Sequence, residues 1–266
     1  MDEERQQQYA VVIPAFNEES TIYAVAEQAL KHLKHVIVID DGSTDRTAQV
    51  LQQLPVTVLQ NTANCGKAAS LWKGFQYSEQ QGMTAVIALD GDGQHSPEDI
   101  PRLITQAEAT PHRIIIGARR RPWTRQTWHR IFANRVADFW VSWASGHPIA
   151  DSQSGFRIYP MPLITHLNIR INRERSFVFE SEILVEGARL GYWSLAVPIE
   201  SEPRQAPRPS YFRPVVDIAR ITLMIAGKLL SEGLAPRNLY HALFGQPLAE
   251  QRTNLQDVPS SRTSHQ

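Results

Sequence analysis

The chain has 266 residues, 42% of them hydrophobic, with 27 basic and 27 acidic side chains and a formal net charge of zero. That is enough for one substantial α/β domain or a domain with an appendage, and no global basic field argues for nucleic acid. A single cysteine, Cys65, excludes a disulfide framework and a cysteine-based zinc site.

The opening "MDEERQQQ" is polar and acidic and reads as no signal peptide. No stretch reaches 18 uncharged apolar residues, so the expected location is cytoplasmic. "YAVVIP" (9–14) reads as a buried strand. In "AFNEESTIYAVAEQALKHL" the apolar residues Ile22, Val25, Ala26, Ala29, Leu30 and Leu33 recur at helical spacing. "HVIVIDD" (35–41) is a second strand, "GSTDRTAQVLQQL" a turn and helix, and "VTVLQ" (56–60) a third strand. "GKAASLWKGFQYSEQQ" is a helix with Leu71 and Phe75 one turn apart, and "TAVIAL" (84–89) a fourth strand. Ser96 caps the next helix, with Pro97 at its first position. "RIIIGAR" (113–119) is a fifth strand.

Strands alternating with helices predict a mostly parallel central sheet with helices on both faces. Ligands of such sheets bind outside the carboxyl ends of the strands. Pro14 to Glu18, Asp40 to Ser43 and Asp90 to Gln94 all fall there.

Beyond Arg119 the pattern changes. "RRPWTRQTWHRIFANRVADFWVSWASG" is basic, aromatic and helical in character, and "DSQSGFRIYP" is a loop followed by extended chain. "FVFESEILVEGARLG" has helical spacing, "YWSLAVPIE" is a strand, and "RQAPRPSYFRP" is a Pro/Arg loop. "VVDIARITLMIAGKLL" is an apolar helix whose only charges are Asp217, Arg220 and Lys228; it suits burial, interfacial membrane contact or dimer packing. The polar end from about Gln246 reads as a disordered tail. Tryptophans 123, 128, 140 and 143 suit helix packing more than sugar platforms. His95 reads as a surface residue at a helix start, with a place beside the Asp90–Asp92 site as its alternative, and Lys67, near Asn64, as structural, with a ligand contact as its alternative.

"ALDGDGQHSPEDIP" (88–101) places Asp90 and Asp92 two apart at a strand's end. Such carboxylates suit Mg2+ or Mn2+, which take oxygen ligands and often share them with substrate phosphates. Gln94 adds a carbonyl oxygen, while Gly91 and Gly93 allow close backbone approach. The bland alternative is an acidic turn. Glu18, Asp40 and Asp41 at neighbouring strand ends favour a cation or a donor-rich ligand such as a nucleoside. A dinucleotide fingerprint is absent, since "PAFNEE" holds no glycine. A P-loop fails at Asn61 and Ala68, where a glycine and a hydroxyl belong. An EF-hand loop fails for want of its third oxygen ligand.

"VVIPAFNEE", "VIVIDDGSTDRT", "NCGKAASLWKGF", "ALDGDGQHSPEDIP", "DSQSGFRIY" and "FVFESEILVEGARLGYWSLAVPI" occur in the order seen in family 2 glycosyltransferases. The chain resembles the dolichyl- and polyprenyl-phosphate sugar synthases of that family, over roughly residues 8 to 215. The resemblance implies a GT-A domain over 8–212, an apolar helical appendage over 213–245 and a tail over 246–266. It implies inverting transfer of a hexose from a nucleotide-sugar to a polyprenyl phosphate or similar lipid-linked acceptor, with Mg2+ or Mn2+, and peripheral contact with the cytoplasmic face of the membrane. Pro14, Phe16 and Glu18 match the nucleoside-holding segment, Asp40 or Asp41 the acid on base or ribose, and Asp90, Asp92 and Gln94 the metal ligands. Arg119 matches an arginine reaching the donor diphosphate. In "DSQSGFR", Arg157 would hold an acceptor phosphate, and Asp151 would orient the loop or act as base. Glu180 and Glu182 stand where relatives place a catalytic acidic pair. The Gly-x-Ser-Lys stretch after "VPI" is replaced by "ESEPRQAPRPSYFRP", where Arg204 or Arg208 would take the lysine's place. A glycan or other hydroxyl acceptor, and a non-catalytic nucleotide-sugar binder, are the alternatives.

Overall fold

The computed structural model describes residues 8–119, 128–169, 171, 178–200, 214–231 and 233–244. The elements run β1 (Tyr9–Ala15), α1 (Ile22–Leu30), β2 (His35–Asp40), α2 (Thr47–Leu51), β3 (Thr57–Gln60), α3 (Lys67–Gln80) and β4 (Ala85–Ala88). A 3-10 turn (Pro97–Asp99) leads into α4 (Ile100–Ala109). Then follow β5 (Ile114–Arg119), α5 (Trp128–Ser145), β6 (Arg157–Pro160), α6 (Met161–His166), α7 (Phe179–Arg189), β7 (Ser194–Ile199), α8 (Pro214–Ser231) and α9 (Pro236–Phe244). Ser96 caps as the sequence predicts: its Oγ accepts the Glu98 amide at 3.3 Å.

The seven strands lie in the order β3-β2-β1-β4-β6-β5-β7. Every pairing is parallel except those of β6, which runs antiparallel to both β4 and β5. Period-two alternation sends Ala10 and Val12 to one face and Val11 and Ile13 to the other. The first face is covered by α3 through Leu71 and Phe75, the second by α1 and α4 through Ile22, Val25, Leu103 and Ile104. The mostly parallel sheet with two covered faces is the one expected. What the sequence reading leaves open is the direction of β6. Its insertion brings the start of β6 beside the carboxyl end of β4, with Ala88 opposite Arg157.

Helices α8 and α9 pack on α5. Ile221, Ile225 and Leu229 are buried there, and Lys228 pairs with Glu186 and, at 3.3 Å, with Glu182 on α7. Trp140 and Trp143 stack on each other at 5.3 Å, half-buried against the same layer, which is the packing role expected of them. Trp123, Arg204, Arg208 and the 246–266 tail lie outside the described residues, as does the side chain of Trp128. No helix among the described residues is long and apolar enough to cross a membrane.

At the amino ends of β5 and β7, opposite the strand ends that gather the acids, His147 is buried under Trp193. Its Nδ1 donates to the Ser145 carbonyl at 3.2 Å, so Nε2 accepts from the Ser194 amide (3.2 Å) and hydroxyl (3.0 Å). Burial drives its pKa from 6.5 down to about 4; the Ser145 bond opposes the shift, and the nearby Arg113 charge adds to it. The unfolded ring titrates near 6.5, so between there and pH 4 the unfolded chain binds more protons. Stability is therefore full above the window and lost as pH falls through it, by about 3 kcal/mol for this one ring. The same sign holds for His95, whose pKa burial also lowers to about 4. Thermal melts from pH 7 to 4 are expected to show the decline, and His147→Gln to flatten part of it. An unchanged slope in that variant would refute the assignment.

Candidate active site

Three strand ends converge. After β1, Asn17 adopts a left-handed conformation (φ 54°) and clamps the neighbouring loop: its amide donates to Ser43 Oγ (2.9 Å), and its Oδ1 accepts the Thr44 amide (2.8 Å). Pro14 and Phe16 are half-buried beside it, and Glu18 is buried, its own amide donating to Thr47 Oγ1 at 2.8 Å. After β2 come two buried acids with different duties. Asp40 accepts the Ser43 amide at 2.9 Å. Asp41 accepts Asn61 Nδ2 and the Cys65 amide on one oxygen and the Gly66 amide on the other, all within 2.8–2.9 Å. Both Asp41 oxygens are spent on the loop that starts α3. Of the two candidates for a nucleoside contact, Asp41 anchors this loop through three bonds and Asp40 accepts a single amide.

After β4, Asp92 Oδ1 accepts the Gln94 amide at 3.1 Å, closing a tight turn in which Gly93 has φ 73°. Gly91 departs from its expected role. It is buried, its carbonyl accepts Thr21 Oγ1 at 2.7 Å, and a Cβ there would sit 3.2 Å from Ile22 and 3.4 Å from the Pro14 carbonyl. Glycine serves packing here, not approach to a ligand. His95 is buried against Phe156, 5.8 Å between ring centroids, which corrects the surface reading.

At the centre lies a contact that the sequence reading did not contain. Lys67, the first residue of α3, donates to Asp90 Oδ1 at 2.6 Å and to Glu180 Oε2 at 2.9 Å. Burial disfavours its ammonium, but the two carboxylates outweigh that and raise its pKa above the ordinary lysine value. Burial likewise pushes the Asp90 carboxyl up; Lys67, His95 and Arg119 reverse this and hold it below the usual range. Glu180 Oε1 is buried with no hydrogen-bond partner among the described residues. Gly155, just before β6, forms the floor: a Cβ there would stand 2.2 Å from Asp90 Oδ2 and 2.9 Å from Lys67 Nζ.

The "DSQSGFR" loop is built differently from expectation. Arg157 is fully buried (0% exposed). Its guanidinium donates to the carbonyls of Ser152 (2.7 Å), Ser154 (2.8 Å) and Glu180 (2.6 Å) and to the Tyr159 hydroxyl (3.3 Å). A side chain sealed from solvent, its fork spent on protein oxygens, does not grip an acceptor phosphate; that expectation is corrected. Asp151, at φ 55°, takes Arg119 bidentately: Nε to Oδ2 at 2.8 Å and Nη2 to Oδ1 at 2.7 Å. The Arg119 amide adds a third bond at 3.0 Å. Of the two roles expected of Asp151, orienting the loop fits this arrangement and acting as base does not. Arg119 is thus paired with Asp151 through Nε and Nη2. Asp138 on α5 completes the scaffold, accepting the Ser152 amide (2.7 Å) and hydroxyl (2.6 Å).

The structure thus brings together Asp90, Glu180, Lys67 and Gly155, with Asp92, Gln94 and Arg119 on the same rim. Glu182 turns instead toward Lys228 at 3.3 Å. Gly155 is the functional candidate that sequence reasoning missed; Lys67 enters that reasoning with a ligand contact near Asn64 as its alternative, but its partners Asp90 and Glu180 are not foreseen, because a Gly-Lys pair at a helix start names no partner. Among the described residues, no three His, Cys, Asp or Glu side chains stand together as a metal cluster.

The chain is 24% identical over 212 residues to the polyprenol monophosphomannose synthase of Mycolicibacterium smegmatis, covering 75% of this chain and 79% of that one. It is 30% identical over 168 residues to the undecaprenyl-phosphate 4-deoxy-4-formamido-L-arabinose transferase of Proteus mirabilis, covering 58% and 49%. Among solved structures, it superposes on glucosyl-3-phosphoglycerate synthase from Mycobacterium tuberculosis, in complex with Mn2+, UDP-glucose and phosphoglyceric acid. There the TM-score is 0.60 at 18% identity, over 84% of this chain and 79% of that one. The expected GT-A fold is met. The family model described as glycosyl transferase family 2 matches residues 10–147, more than half of the chain, and the chain belongs to that family.

Proposed function

We propose that this glycosyltransferase moves a hexose from a nucleoside-diphosphate sugar to a polyprenyl phosphate, with inversion at the sugar carbon. The observation that carries the reading is the meeting of Asp90, Lys67 and Glu180 at the carboxyl end of β4, with Asp92 two residues on, where a mostly parallel sheet binds its ligand. Pro14, Phe16, Glu18 and Asp40 line the neighbouring strand ends and suit the nucleoside. The names of the mycobacterial and Proteus relatives support the acceptor class, and the Mn2+ and UDP-glucose of the solved neighbour support the donor and the metal.

The donor set fits a divalent cation that arrives with phosphates. Two carboxylates and an amide oxygen are too few for a resident site, but Mg2+ typically takes one or two carboxylates and fills its shell from substrate. Asp90, Asp92 and Gln94 would hold Mg2+ or Mn2+, which when bound neutralises charge on the departing diphosphate. A phosphate acceptor is already anionic near neutral pH and needs no base. Its oxygen bonds to the anomeric carbon as the bond to the nucleoside diphosphate breaks. Glu180 and Asp151 then act by holding cations in place, Lys67 and Arg119 respectively.

With polyprenyl phosphate and a panel of nucleotide-sugars, nucleoside diphosphate release is expected in Mn2+ and not in EDTA. Asp92→Ala is expected to lower it at least about a hundredfold. Full turnover in that variant would sink the reading.

The acceptor reading also calls for a bilayer. Among the described residues, six large apolar side chains stand exposed on α8, α9 and the turn between them, including Leu223 (72%), Leu230 (68%) and Phe244 (71%). The exposed charged groups described on this face, Arg220 and Arg237, are both cationic. Apolar residues flanked by arginines suit peripheral contact with an anionic surface, here the cytoplasmic face of the membrane. In this reading the 213–245 appendage is the docking element. The protein is expected to co-sediment with phosphatidylglycerol vesicles, and Leu230→Glu with Phe244→Glu to abolish this while leaving UDP binding intact. Equal sedimentation of the double variant would refute the docking role.

A further inference from the structure

The chain closes its acid cluster with its own cation, and the local structure is arranged to aim it. Lys67 opens a 14-residue helix, where a positive side chain meets the positive end of the helix dipole. That is the wrong end for a lysine unless carboxylates hold it, and two do, at 2.6 and 2.9 Å. The backbone on which it stands is fixed by a third acid: Asp41 accepts the amides of Cys65 and Gly66, and Gly66 itself adopts φ 92°. Without Lys67, Asp90 and Glu180 would be two largely buried like charges sharing one site, which carboxylates resist by taking up a proton.

The same geometry sets Lys67 against any divalent ion. Asp90 offers one oxygen, Oδ1, to the ammonium, and its other, Oδ2, lies against the Gly155 backbone. An ammonium and a divalent cation cannot share Oδ1 at contact distance without strong repulsion. We propose that Lys67 is a tethered counter-ion that yields Asp90 only to a metal arriving with the donor's diphosphate, and then keeps Glu180 while its freed N–H faces that diphosphate. This rests on the transferase reading above and adds an order of binding to it: metal alone competes poorly with the lysine, whereas metal with diphosphate supplies the anion that the released ammonium needs.

Two measurements test it, neither of them turnover. Mn2+ titration of the protein alone, followed by calorimetry, is expected to show about tenfold or greater tightening in Lys67→Met and none in Lys67→Arg, which keeps the charge. With saturating UDP the gain in Lys67→Met should vanish or reverse, because the diphosphate then lacks its ammonium. In the wild type, whose five lysines make assignment simple, the 15N signal of the Lys67 ammonium should move on addition of Mg2+ with UDP and stay in place with Mg2+ alone. That second arm decides the matter if Lys67→Met does not fold. A wild type that takes up Mn2+ with UDP, joined to a Lys67→Met that binds Mn2+ no more tightly, overturns this proposal alone, as does a Lys67 signal that ignores UDP. A wild type that takes up no Mn2+ with UDP, GDP or any other nucleoside diphosphate overturns the transferase reading and this with it.

Discussion

Gly155→Ala is expected to cut sugar transfer about a hundredfold while leaving the fold in place. The new Cβ would lie 2.2 Å from Asp90 Oδ2, 2.8 Å from its Cγ and 2.9 Å from Lys67 Nζ. Carbon and oxygen do not approach so closely, so something must move. Asp90 cannot rotate away cheaply, because Oδ1 is held by Lys67, and Lys67 is held in turn by Glu180. The whole cluster shifts, and a displacement of about 1 Å at a reacting centre costs on the order of a hundredfold in rate. The overpacking itself costs about 1–3 kcal/mol, enough to lower the melting temperature without unfolding a domain of this size. Gly227→Ala is the matched control, for nothing lies within 4 Å of its Cβ position and it sits inside α8. Transfer rates and melting curves of the two variants, measured together, check the claim. Wild-type transfer by Gly155→Ala would show that the site does not depend on this contact.

Arg157→Lys is expected to destabilise the protein by about 3 kcal/mol or more, without a selective rise in KM for the acceptor. The guanidinium reaches three carbonyls and a phenol at once because its donors are spread over a planar fork. A lysine presents its three N–H groups from one point and cannot span Ser152, Ser154 and Glu180. Each buried carbonyl left without a donor costs about 1–3 kcal/mol. Had Arg157 held a phosphate, the same change would raise acceptor KM and barely move the melting temperature. Denaturant titration alongside acceptor saturation curves distinguishes the two, and unchanged stability with a raised KM would show that Arg157 holds the acceptor after all.

These cases mark what was legible. The strand ends were, because β1, β2 and β4 are short continuous apolar runs, buried on both faces, and a parallel sheet must gather its carboxyl ends on one side. Asp90, Asp92, Glu18 and Asp40 follow from that alone. Buried burdens were not. That Arg157 anchors a loop, that Asp151 is occupied by Arg119, and that His95 is enclosed by Phe156 depend on neighbours distant in the chain. The antiparallel run of β6 is the decisive instance. "FRIYP" reads as extended either way, and only its insertion between β4 and β5 brings Gly155 under Asp90.

From residues alone came the layered α/β architecture, the side of the sheet that bears ligands, and the acidic character of its mouth, since periodicity and residue chemistry are properties of short segments. Only the folded chain decided which charge answers which. Lys67, Asp90 and Glu180 lie on three separate elements, and a hydrogen bond is settled by distances of a few ångströms that no linear spacing encodes.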